Sequence, residues 1–155
     1  MNAPNQHGES SRTEALSRYD DFVSSAGVLK ELALAAASVF SVPIVLVSFV
    51  ASDRVRHRIR VGTLWSESPR DGSFSWCAIL ETGVFVVSDA SMDTRFKDSP
   101  LVTGDERVQF YAGAPLRTSA GDAIGVLELM DRCPRELDAA QAKVLLALAD
   151  AAMAH

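Results

Sequence analysis

Two cysteines, a glutamate inside an apolar run and an isolated histidine carry most of the reactive chemistry this sequence offers. Cys77 falls in a predicted short helix at 73–81, where a helix N-terminus would lower a thiol pKa and sharpen its nucleophilicity. It lies about one turn in, with no neighbouring base, so a buried small hydrophobe is the plainer reading. Cys133 stands between Arg132 and Pro134, where nearby cations could favour a thiolate or simply flank an inert turn. Neither cysteine has a CxxC partner or a histidine at ligand spacing, so no metal site is expected. Glu128 is flanked by Val126, Leu127, Leu129 and Met130. A carboxylate there is costly unless it is paired or faces a pocket. Two readings stay open: a cavity-facing group, or an ion pair with an arginine such as Arg117. His57 reads as a packed or hydrogen-bonded imidazole rather than a metal ligand. Arg56, Arg58 and Arg60 read as a solvated row with some capacity for an anion. No acid–base pair, metal cluster or activated nucleophile emerges, so no catalytic residue is assigned and the chain is expected not to be an enzyme.

The elements that must position these residues follow from periodicity. Residues 1–10 read as a disordered tail, and 11–155 as a single domain. A first helix spans 11–22, interrupted by Asp20 and Asp21. A second shows Val28, Leu29, Leu32, Ala35, Ala36, Val39 and Phe40 on one face and must stop before Pro43. Residues 44–50 form a continuous β-branched run, as in a strand covered on both sides. Residues 55–61 alternate, with Val55, His57, Ile59 and Val61 on one face and the arginines on the other, which suits an edge strand. A third strand is expected at 84–88, then a long irregular stretch at 89–107. Strands at 108–116 and 123–130 follow, joined by a turn. Alternation puts Glu128 with Ile124, Val126 and Met130. Asp138 and Gln141 form a capping box ahead of a last helix, whose stripe is Leu137, Val144, Leu145, Leu148 and Ala152.

Composition narrows the function classes. The chain has 155 residues, 48% hydrophobic and 23% charged, enough for one proper core. A net charge of −5 and a pI near 5.1 argue against nucleic acid, whose binding needs a dense positive surface. The longest apolar run is about half of a membrane span, and the first residues lack a signal-peptide core. A cytoplasmic protein without membrane contact is expected.

Several segments together carry a family likeness: Val42-Pro43-Ile44-Val45-Leu46-Val47-Ser48, Arg60-Val61-Gly62, Pro69-Arg70-Asp71-Gly72-Ser73-Phe74 and Val87-Ser88-Asp89-Ala90. They continue in Asp93-x-Arg95-Phe96, Phe110-Tyr111-Ala112-Gly113-Ala114-Pro115-Leu116, Gly125-Val126-Leu127 and Asp131-Arg132-x-Pro134-Arg135. In this order, over roughly 25–153, they resemble the GAF domain family, above all the modules attached to bacterial histidine kinases and diguanylate cyclases. The resemblance implies an α+β fold: a five- or six-stranded antiparallel sheet, terminal helices on one face, and a loop-covered ligand cavity on the other. It implies a sensory or regulatory module of a bacterial signalling protein that passes ligand occupancy to its terminal helices. A kinase or cyclase output partner and a homodimer are expected. A ligandless dimerisation domain is the alternative.

The candidate ligand-binding residues are Trp65, Phe74, Trp76, Cys77, Asp89, Phe96, Phe110, Tyr111 and Glu128; no cofactor is identified. Trp76 is expected to point inward and fill part of the cavity. The sequence also departs from its likenesses. Ser75 and Cys77 stand where relatives usually have Cys and, two residues later, His. Arg95-Phe96-Lys97-Asp98 only echoes the cyclic-nucleotide signature, and Ala78 replaces the histidine that follows a bilin-carrying cysteine. The enzymatic member, free methionine-(R)-sulfoxide reductase, needs several grouped cysteines, which makes it the remoter alternative.

Overall fold

The computed structural model describes residues 6–22 and 26–154, and the β-branched run after Pro43 is its central strand. Helices α1 (Gln6–Phe22) and α2 (Ala26–Phe40) lead into β1 (Ile44–Val50), β2 (Arg54–Val61) and β3 (Glu67–Pro69). Then come α3 (Phe74–Ile79), β4 (Phe85–Val87), a 3-10 turn (Ala90–Met92) and α4 (Pro100–Thr103). The chain closes with β5 (Phe110–Arg117), β6 (Ala123–Asp131) and α5 (Ala139–Met153). The architecture is α+β, a six-stranded antiparallel sheet in the order β3-β2-β1-β6-β5-β4.

One sheet face packs under α1, α2 and α5 through Val45, Val47, Phe49, Leu127, Leu129, Leu29, Ala33 and Leu145. The other carries Ile44, Leu46, Val126, Met130 and Tyr111, roofed by α3, the 3-10 turn and α4. β1 is buried at every residue because both faces are covered. Asp138 caps α5 through the full capping box with Gln141. Among the described residues no helix is long and apolar enough to cross a membrane.

Two bulges change which side chains meet. The β1–β2 register jumps between Val47↔Ile59 and Ser48↔His57, leaving Arg58 as the extra residue. An extra residue turns the strand over, so His57 and Ile59, although two apart, face opposite sides. Val55 and His57 therefore point to the loop face, while Ile59 packs with the helices. This corrects the expected single face for Val55, His57, Ile59 and Val61, and it divides the arginine row. β2 is also not the edge, since β3 pairs with it at Arg54, Arg56 and the residue between. A second register shift beside Leu116 puts Ile124 on the helix face rather than with Glu128.

The helices depart from expectation in α1 and α2, and on α5 Val144 of the expected stripe is exposed while Leu145, Ala149 and Ala152 are buried. α1 begins at Gln6, inside the stretch read as a tail, while residues 1–5 lie outside those described. Ionic contacts tie it down: Glu9 pairs with Arg12 and Arg70, and the buried Arg12 donates to the carbonyls of Val50 and Ala51. On α2 the buried stripe is Leu29, Ala33, Ala36 and Phe40, whereas Val28 and Val39 of the expected stripe are exposed.

Candidate functional site

The loop face holds a chain of buried polar groups. Glu128, fully buried on β6, lies opposite Gly113 of β5 and Leu46 of β1. Three hydroxyls converge on its carboxylate: Ser48 donates to Oε1, and Ser75 (2.7 Å) and Tyr111 donate to Oε2. Ser48 Oγ lies 2.7 Å from His57 Nδ1, and His57 Nε2 lies 3.0 Å from Ser68 Oγ. The chain thus runs from mid-sheet to the edge strand.

Each member is placed by a local reason. Ser48 interrupts an apolar strand on its loop-facing side, and the β2 bulge swings His57 onto the same side. Ser73 caps α3 by accepting from the Trp76 N–H, which sets Phe74 and Ser75 at the first turn over the sheet. Gly113 is required by a close approach. A Cβ there would stand 2.5 Å from the Tyr111 hydroxyl and 2.8 Å from Val126, in the space that hydroxyl uses to reach Glu128.

Burial governs the electrostatics. Desolvation pushes His57 below its usual pKa despite the Glu128 charge, with Arg60 adding in the same direction, so the ring is neutral. Tyr111 is held well above the ordinary phenol range by burial, then by the neighbouring carboxylate, and remains a donor.

Beside this chain an open cavity of about 230 Å³ is lined by Ser68, Pro69, Gly72, Phe74, Ser99 and Leu101, among others. Ser68 belongs to both the cavity wall and the polar chain. Asp71, also on the wall, is held by the Arg70 guanidinium.

The expected site residues divide sharply. Phe74, Phe96 and Tyr111 come together: the Phe74 ring stacks on Tyr111 at 4.6 Å and meets Phe96 at 4.3 Å with the rings tilted by 31°. Cys77 is buried beside them, and burial raises its pKa, away from thiolate. Trp65 packs partly buried at the rim of the same cluster. Phe110 does not join them. Adjacent strand residues point to opposite faces, so with Tyr111 toward the loops Phe110 packs under the helices. Asp89 caps the 3-10 turn, accepting from the N–H and hydroxyl of Ser91, and does not line the cavity. Glu128 is not paired with Arg117, whose guanidinium binds the carbonyls of Gly121 and Glu81.

Trp76 does not fill the interior either. It is half-buried beneath the Arg70 guanidinium, 4.2 Å from the ring centre, with Arg12 of α1 at 5.7 Å. Cation–π cover satisfies the exposed ring that the inward reading was meant to avoid. The sequence does not single out Ser48, Ser68 and Ser75 as site residues, whereas His57 is hydrogen-bonded as one of its expected readings has it. A lone serine within seven otherwise apolar strand residues was the available signal.

A curated relative and solved structures resemble the chain; no family model matches it. It is 45% identical over 108 residues to a cyclic di-GMP phosphodiesterase of Pseudomonas aeruginosa, a match over 70% of this chain. The chain spans only 18% of that protein's length. The expectation that the chain is not an enzyme is overturned by this match, because the relative is one. The GAF domain of an Acinetobacter phosphoenolpyruvate-protein phosphotransferase superposes with a TM-score of 0.68 at 13% identity, over 96% of this chain and 91% of that one. Free methionine-R-sulfoxide reductase of Neisseria meningitidis, solved with its substrate, gives 0.67 at 20% identity, over 96% and 89%. At these identities the two structures share the fold with this chain.

Proposed function

Since the chain has the GAF-domain fold, we propose that it is the sensory or regulatory module of a cytoplasmic signalling enzyme that turns over cyclic di-GMP. The observation that carries this reading is a buried polar chain ending on an open cavity. Buried hydroxyls and a buried carboxylate cost stability relative to apolar packing, and an apolar pocket with a few placed polar groups is the usual form of a small-molecule site. The relative's activity supplies the output class. At about 230 Å³ the cavity lies below the roughly 300–1,000 Å³ of drug-sized sites, so it fits a small ligand and cannot enclose a cyclic dinucleotide. The ligand is therefore a separate signal from the phosphodiesterase substrate.

Occupancy has a short route to the helices. Arg70, between the cavity wall residues Pro69 and Asp71, reaches Glu9 of α1 at 3.2 Å and covers Trp76 of α3. A second copy of the chain suits α2. Val28, Ala35 and Val39 lie within about 40° on that helix, by its ~100° per residue, and all three are exposed. A homodimer across this face would bury them.

The test replaces the matching segment of the Pseudomonas phosphodiesterase with this chain and follows cyclic di-GMP hydrolysis in the presence of small-molecule extract from the host. The expected result is a change in rate that Leu101→Trp, which fills the cavity, removes. A rate indifferent to both extract and filling overturns the proposal.

A further inference from the structure

With Glu128 accepting from all three hydroxyls, the hydrogens of the buried chain have one consistent arrangement, and it decides what Ser68 offers to the cavity. Ser48 has a single hydroxyl hydrogen, and Glu128 Oε1 takes it. The 2.7 Å contact between Ser48 Oγ and His57 Nδ1 is then a bond only if the ring donates, so the hydrogen of the neutral imidazole sits on Nδ1. Nε2 is left as an acceptor. Its partner at 3.0 Å is Ser68, which must therefore give its own hydrogen to the ring. Every donor in the chain points toward Glu128, and Ser68 keeps only lone pairs for the cavity.

Ser99, also on that wall, turns its hydroxyl oxygen to the Leu101 N–H as the cap of α4, and the other polar side chains there are engaged elsewhere. The Ser73 hydroxyl donates to the Arg70 carbonyl and accepts from the Trp76 N–H. The Asp71 carboxylate is held by Arg70. Around them the surface is apolar, formed by Pro69, Phe74, Pro100 and Leu101.

We propose that Ser68 is the specificity-determining residue of this cavity and that His57 is its positioning residue, selecting small, mainly apolar ligands that present an N–H or O–H donor. At Ser68 a ligand offering only an acceptor meets lone pairs against lone pairs. Accommodating it would take the Ser68 hydrogen from His57 Nε2, or would reverse the chain and so turn the Ser48 hydrogen to His57 Nδ1, leaving a buried Glu128 oxygen without its donor. This inference rests on the cavity reading above and adds the chemistry of the ligand.

Indole and benzofuran test it, because they match in shape and differ in a ring N–H against a ring oxygen. Titrations of the full chain are followed by amide NMR. Indole should bind about fivefold more tightly, the worth of one hydrogen bond of about 1 kcal/mol. In Ser68→Ala the two should bind alike. The ¹⁵N shifts of His57 should report a protonated Nδ1 and a bare Nε2 with and without indole, a readout that does not depend on the variant's folding. Equal affinities in the unaltered chain, or a hydrogen on Nε2, overturn the selection by Ser68 while leaving the cavity reading in place. No binding of either probe removes the cavity reading and this inference with it.

Discussion

The two faces of the sheet are built from the same strands and solve different problems. Beneath the helices, Val45, Val47, Leu127, Leu129 and Leu145 form an apolar layer of ordinary core packing. Beneath the loops, residues alternating with those on the same strands include Ser48 and Glu128, joined to His57, Ser75 and Tyr111. Among the described residues, the buried polar side chains are these loop-face groups and Arg12 of α1. The contrast teaches that the helix face holds the fold and the loop face gives up some stability to keep polar groups beside a cavity.

That division should show first in stability. Leu127→Ala, on the helix face, should cost about 3 kcal/mol in urea unfolding while leaving indole affinity unchanged. A loss of binding in that variant would blur the separation between the faces. Gly113→Ala acts on the other side by pushing the Tyr111 hydroxyl from Glu128. It should cost about 2 kcal/mol and also weaken indole binding, which calorimetry would register.

A smaller effect concerns pH. His57 has its pKa lowered by burial, below the 6.5 of an ordinary histidine. Below pH 6.5 the unfolded chain takes up a proton that the folded chain resists, so stability is full above that pH and falls as pH drops toward the native value. His57→Gln should flatten this part of the stability–pH profile, read from melts between pH 7 and pH 5. An unchanged slope would mean that the buried imidazole is not its source. The smallest effect is expected from Glu9→Gln, which loosens a part-buried link between α1 and Arg70. A loss of about 0.5 kcal/mol is expected, screened by salt, with binding intact.

Much of the fold was legible because periodicity survives in the sequence. The covered strand at β1, the cap at Asp138 and the helical spacing on either side all follow from apolar patterning. Bulges are what periodicity conceals. Arg58 and Ile124 each occupy one extra position in a ladder, and nothing in an alternating string marks the point where faces exchange. That is why His57 was read with Ile59, and Ile124 with Glu128. The candidate site was half legible: Glu128 stood out as a charge in an apolar run, and Phe74, Phe96 and Tyr111 do cluster. Of its serines only Ser48 carries a signal, as the one polar residue of β1; Ser68 and Ser75 have none until the fold brings His57 and Glu128 to them. Phe110 and Trp76 were misplaced for a different reason. The first is excluded by strand alternation, and the second is covered by arginines from 64 and six residues away in sequence, a contact only the fold creates.

Amide shift mapping of the chain saturated with indole tests the specialisation of the two faces most directly. The expected perturbations fall on residues 68–74 and 99–101, with the amides of α2 and α5 silent at their outer surfaces. Perturbations centred on Val28, Val39 and Val144, with the cavity residues unmoved, would contradict it.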